Sequence, residues 1–159
     1  MRRLSQPLKD GIAGIFGWND AQRRNFEAYK DTLEVAHTGL TYRQWQIALS
    51  EEFLKRKVGS DVLGQLFLQY CLQNGDKNTV WVCPDAGFVA ELRPLLRAVR
   101  PSSMFIIQLI RPGTDFSRDS RSYIEVENVA TMQLHNFGEK FELEQRAAHF
   151  ARLWLDNPA

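Results

Sequence analysis

Apolar residues recur at helical spacing through the first half of the chain and gather into short solid runs in the second. Leu8, Ile12, Ile15 and Phe16 fall on one face of a helix capped at Ser5, with Pro7 just inside its start and Gly17 as its stop. Asn19 or Asp20 then caps a charged helix running to about Lys30, and Asp31 to Gly39 reads as a loop. Thr41-x-x-Gln44 is a capping box for a third helix, with Trp45, Leu49 and Phe53 as its apolar stripe. Ser60 opens a fourth, with Val62, Leu63, Leu66, Phe67 and Tyr70 inward, which ends at Asn74-Gly75.

From there the rhythm changes. Arg2 to Ser5 has already the look of a strand end, and Val80 to Cys83 is a short apolar strand. Pro84 to Gly87 is a turn, and Phe88 to Val99 a helix that Pro94 should kink or restart. Met104 to Ile110 reads as the next strand, and Thr131 to Leu134 as another, closed by a turn at Asn136-Phe-Gly138. A last amphipathic helix runs from about Phe141 to Leu155. Strands alternating with helices predict an α/β fold with a parallel sheet, and solidly apolar strands predict helices on both of its faces. The whole of 1–159 is expected to form one domain.

Composition narrows the function. A chain 44% apolar and 25% charged is an ordinary globular protein. A formal net charge of +1 gives no global attraction to nucleic acid, which is not an expected partner. No apolar run approaches a membrane span, so membrane is excluded as a partner and the cytoplasm is the expected compartment. Cys71 and Cys83 fit no metal or redox spacing, and His37, His135 and His149 are scattered, so no metal site is expected.

The densest chemistry lies in Arg111-Pro-Gly-Thr-Asp-Phe-Ser-Arg-Asp-Ser-Arg-Ser-Tyr123, directly after a strand. The guanidinium forks of Arg111, Arg118 and Arg121 match phosphate oxygens, and the serines add donors. The plainer alternative is a solvated loop in which Asp115 and Asp119 pair locally with the arginines. Asp85 also follows a strand. Its first reading is a turn or cap aspartate serving the helix that follows, and the alternative is an acid that positions a metal, a water or a substrate hydroxyl. Arg43 stands in the first turn of a helix, where a cation opposes the dipole. Ligands bind beyond the carboxyl ends of parallel strands, which places Asp85 and the arginine loop on one edge.

Taken in order, four segments resemble the deoxynucleoside monophosphate kinases and nucleotide kinases of bacteriophages. They are Leu4 to Trp18, with Pro-Leu-Lys and Phe-Gly-Trp; Leu40 to Gln44 with Ser50-Glu51; Val82 to Glu91; and Ile110 to Ile124, with Arg-Pro-Gly and Asp-Ser-Arg-Ser-Tyr. The resemblance implies a P-loop kinase fold and transfer of the ATP γ-phosphoryl group to a deoxynucleoside monophosphate with Mg²⁺. It implies that Arg43 touches the monophosphate, that Asp85 lies near metal and phosphates, and that Arg111, Arg118 and Arg121 belong to a lid. Asp85 and Arg121 would be the catalytic pair of an active enzyme.

One part of the family pattern is missing. No G-x-x-x-x-G-K-[ST] occurs in these 159 residues, and the resemblance begins at the family's second strand. Phosphoryl transfer rests on positioning and electrostatics, and losing one preorganised donor costs about 10²–10³ in rate. The expectation is therefore a degenerate kinase-like protein, a truncated P-loop fold without its first strand, that acts by binding. Its partner would be a nucleotide monophosphate, a host protein or complex in an infected bacterium (counter-defence is one such role), or a second copy pairing sheet edges left open. The alternative is an active kinase using ATP and Mg²⁺.

Overall fold

A computed structural model describes residues 1–76, 78–117 and 121–156, the last two without their side chains. Arg118 and Asp119 of the arginine loop lie outside the described residues. The described residues form six α-helices and one two-stranded parallel sheet, a mixed α/β chain. It divides into two compact units, Met1–Ala86 and Gly87–Ala159.

The first unit is helical. Helix α1, Gln6–Ile15, starts with Pro7 in its first turn, where the missing N–H is no loss. It ends in a Schellman motif: Trp18 N–H reaches Ala13 O at 2.9 Å, Gly17 N–H reaches Gly14 O at 3.2 Å, and Gly17 takes φ +63°. Helix α2, Asp20–Ala28, opens on a full capping box: Gln22 N–H donates to Asn19 Oδ1 at 3.0 Å, and Asn19 N–H to Gln22 Oε1 at 2.9 Å. Helix α3, Tyr42–Ile47, opens on the same device between Thr41 and Gln44. It continues as a π-helical stretch, Ala48–Lys55, and helix α4 spans Val62–Asn74.

Ile12, Val35 and Tyr42 are the buried centre of this unit, ringed by Phe16, Trp18, Phe26, Trp45 and Leu49. Trp18 stacks on Phe26 with centroids 4.0 Å apart and meets Tyr42 edge-on at 5.3 Å. Aromatic pairs in these geometries each add about 0.5–1.5 kcal/mol beyond the area they bury.

The second unit carries the sheet. Helix α5, Val89–Ala98, runs through Pro94 without interruption of its span. Strand β1, Phe105–Ile110, pairs in parallel with β2, Ala130–His135, in the register Phe105 to Ala130 through Ile110 to His135. Helix α6, Lys140–Asp156, returns across one face, where Phe105 meets Phe150 at 4.6 Å and Trp154 at 6.4 Å. On the other face Gln108 is buried and donates to Ile124 O at 3.1 Å, and Ile124 is itself buried.

Two expectations are corrected. Arg2 to Ser5 and Val80 to Cys83 form no strands; Arg2 N–H to Val82 O at 3.1 Å is the backbone bond between them, and one bond is not a ladder. The sheet is therefore the β1–β2 pair, and the face opposite α6 is covered at Gln108 by the 121–129 chain. No helix of the described residues is long and apolar enough to cross a membrane.

Candidate functional site

Two parallel strands end side by side, and the chain leaving each one builds a cleft. After β1, Arg111-Pro112-Gly113-Thr114 makes a tight turn. Pro112 supplies the fixed φ, Gly113 takes φ +72°, and Thr114 N–H closes back on Arg111 O at 3.3 Å. After β2, Asn136 N–H extends the pairing by donating to Ile110 O at 2.8 Å. Arg111 and Pro112 thus face Asn136, Phe137 and Gly138 across a cavity of about 440 Å³, which the start of α6 closes with Lys140 and Leu143. That is the carboxyl edge of the parallel pair, where ligands of such sheets sit.

The cleft combines three chemistries. Phe137 is 63% exposed, and its ring lies 4.7 Å from that of His135. Arg111 carries no ion pair among the described residues, and Lys140 pairs with Glu144 at 3.3 Å on an exposed surface, a contact worth little. The backbone of Gly138 lies under the Glu142 carboxylate, which Arg146 meets at 3.7 Å. The result is an apolar ring flanked by two cations, with one partly neutralised carboxylate at the rim.

The described residues of the arginine loop on either side of 118–120 carry local contacts of their own. Asp115 accepts from Ser117 N–H at 2.9 Å and from its hydroxyl at 2.6 Å, and these bonds hold its carboxyl below the usual range. Asp115 is thereby engaged with Ser117. Phe116 meets Tyr123 edge-on at 5.0 Å, which ties the two sides of the loop together. Arg121 lays its stem over Gly87, where a Cβ would collide with it.

Asp85 belongs to the first unit. Its carboxylate accepts from Leu4 N–H at 2.8 Å, Ser5 N–H at 3.1 Å and Ser5 Oγ–H at 2.6 Å, with Cys83 Sγ at 3.6 Å. It serves the start of α1 rather than the helix that follows it in sequence. Cys83 sits against this carboxylate, and burial above all pushes its thiol up to about 11. Arg43 forms a two-pronged pair with Asp31, through Nε to Oδ1 and through Nη2 to Oδ2 at 3.2 Å, and so holds the exposed Asp31 carboxyl below its ordinary value. Of the expected site residues, Arg111 lines the cleft, Arg121 lies in the same unit against Gly87, and Arg43 and Asp85 belong to the other unit.

Sequence reasoning passed over Phe137 and Lys140. The turn Asn136-Phe-Gly138 after a strand was the available signal, because the same edge rule that selected Arg111 applies to it. Among the described residues no group of three or more His, Cys, Asp or Glu is arranged to hold a metal ion. No family profile, no curated protein and no solved structure matches the chain.

Proposed function

We propose that this chain is a nucleotide-kinase-like protein that binds a nucleotide at the carboxyl edge of β1 and β2 and acts by binding rather than by phosphoryl transfer. The cleft between the Arg111 turn and the Asn136–Gly138 turn is the observation that carries this reading. A base stacked on Phe137 gains about 1–3 kcal/mol whatever its identity. Arg111 and Lys140 supply charge-assisted hydrogen bonds to the phosphates. A volume near 440 Å³ is within the usual range for a small-molecule site. The order of the four motifs supports a P-loop-kinase-like fold.

Titration calorimetry with deoxynucleoside monophosphates and with ATP tests this. Saturable binding that Phe137→Ala and Arg111→Ala each weaken by about tenfold or more supports the cleft. Binding untouched by both variants overturns it. Incubation with ATP, Mg²⁺ and each monophosphate addresses the enzyme alternative: product formation abolished by Asp85→Ala or Arg121→Ala would establish a kinase in place of a binding protein.

A further inference from the structure

The first unit holds a second, chemically different cleft. It has a volume of about 200 Å³, too small for a nucleotide, and lies where α1 and α2 face each other. Lys9 and Asp10 reach it from α1, Arg23, Arg24 and Glu27 from α2, and Arg3 from the chain ahead of α1. The spacing explains the convergence. Gln6, Lys9 and Asp10 share one face of α1, and Arg23 and Glu27, four apart, share one face of α2.

Four cations against two carboxylates leave the lining with an excess of two positive charges, in a chain whose whole net charge is +1. Glu27 Oε1 is taken by Lys9 at 2.6 Å, Lys30 at 3.5 Å and Arg3 at 3.8 Å, while its Oε2 is buried with no hydrogen-bond partner among the described residues, and Asp10 is taken by Arg23 at 3.1 Å and Arg2 at 3.9 Å. Arg24 has no ion pair among the described residues. The Nε of Arg23 is buried and has no hydrogen-bond partner among them. Tyr42 adds a phenol that burial, then Glu27 and Asp10, keep protonated far above neutral pH, so it can donate.

We infer that this cleft is a site for a small tetrahedral oxyanion of the phosphate type. A phosphate monoester carries about −1.5 to −2 charges at neutral pH, the complement of the excess in the lining. Its oxygens accept from planar guanidinium forks, and Arg23 and Arg24 present these with hydrogen-bonding capacity unused. An internal ion-pair network alone would tie α1 to α2 with a balanced charge, whereas here the cations of the lining outnumber its carboxylates and Arg24 is left over. This site is independent of the nucleotide cleft, which lies in the other unit.

The test uses the full chain titrated with inorganic phosphate and with glycerol 2-phosphate, against potassium chloride of equal ionic strength, by calorimetry. The expected result is one phosphate bound per chain, weakened about tenfold or more by Arg24→Gln and by Arg23→Gln and unaffected by Arg111→Ala. Arg24→Gln breaks no ion pair among the described residues, so its melting temperature should match the parent and keep the comparison clean. Tighter binding of the monoester makes the cleft a subsite for the phosphate of a larger ligand, and tighter binding of the free ion makes it an inorganic anion site. Heats no larger than those of chloride overturn the inference. So does phosphate binding that Arg111→Ala abolishes, or that the Arg23/Arg24 double variant leaves unchanged.

Discussion

Asp85 gathers donors that would otherwise be lost. Leu4 and Ser5 stand at the start of α1, where backbone N–H groups have no partner within the helix, and the carboxylate satisfies both while also holding the Ser5 hydroxyl. The negative charge also lies at the positive end of the helix dipole. Asp85→Ala should therefore cost about 1–2 kcal/mol, read as a fall in the urea midpoint with the slope unchanged. A midpoint equal to the parent's would show that the bonds do not matter to stability. The sequence reading of Asp85 as a cap was sound in kind and misplaced in address. A carboxylate after an apolar run advertises capping, but only the fold shows that the helix start it meets lies 80 residues away.

At the scale of elements, α1 and α2 are joined by charge as well as by the aromatic cluster. Burial opposes ionisation of Glu27, yet Lys9 and Lys30 outweigh it and hold the carboxyl below its ordinary 4.5. The folded state thus binds that proton less readily than the unfolded state. The stability it contributes is present above about pH 4.5 and is lost as the pH falls through the lowered value. Glu27→Gln should flatten the acid limb of a melting-temperature profile below about pH 4.5 relative to the parent, and parallel profiles there would reject the linkage. Helix starts of this kind were legible in advance because capping boxes at Asn19 and Thr41 are short-range devices written within four residues. Strands were less so. Phe105–Ile110 and Ala130–His135 found each other, whereas Val80–Cys83 has the same apolar look and no ladder, since pairing depends on a partner that no local pattern contains. The candidate site divides the same way. Arg111 was readable from its place after a strand, while Phe137 and the Arg23–Arg24 cleft needed two distant segments set face to face.

At the scale of the whole molecule, a two-stranded sheet has two edges, and an isolated pair of strands is marginal without further cover. Strand β1 has no Lys, Pro or bulge to blunt its edge, and Ile107 and Leu109 are 47% and 50% exposed. Concentration-dependent self-association is the expected outcome, consistent with a second copy among the anticipated partners. Sedimentation velocity over a hundredfold concentration range should show it, and Leu109→Lys should suppress it. A parent chain that stays monomeric throughout would remove the edge as a cause for concern.

The Asp85 joint also has a consequence in time. Arg2 to Val82, Leu4 to Asp85 and Ser5 to Asp85 tie the beginning of the first unit to its last few residues, across as many as 81 positions. Closing so long a loop costs entropy before any contact repays it, whereas the capping boxes and the Gly17 motif need only neighbours. The joint should then form late, on the native side of the folding barrier. Loosening it should speed unfolding far more than it slows refolding, so this one carboxylate would set how long the unit stays closed rather than how quickly it is made.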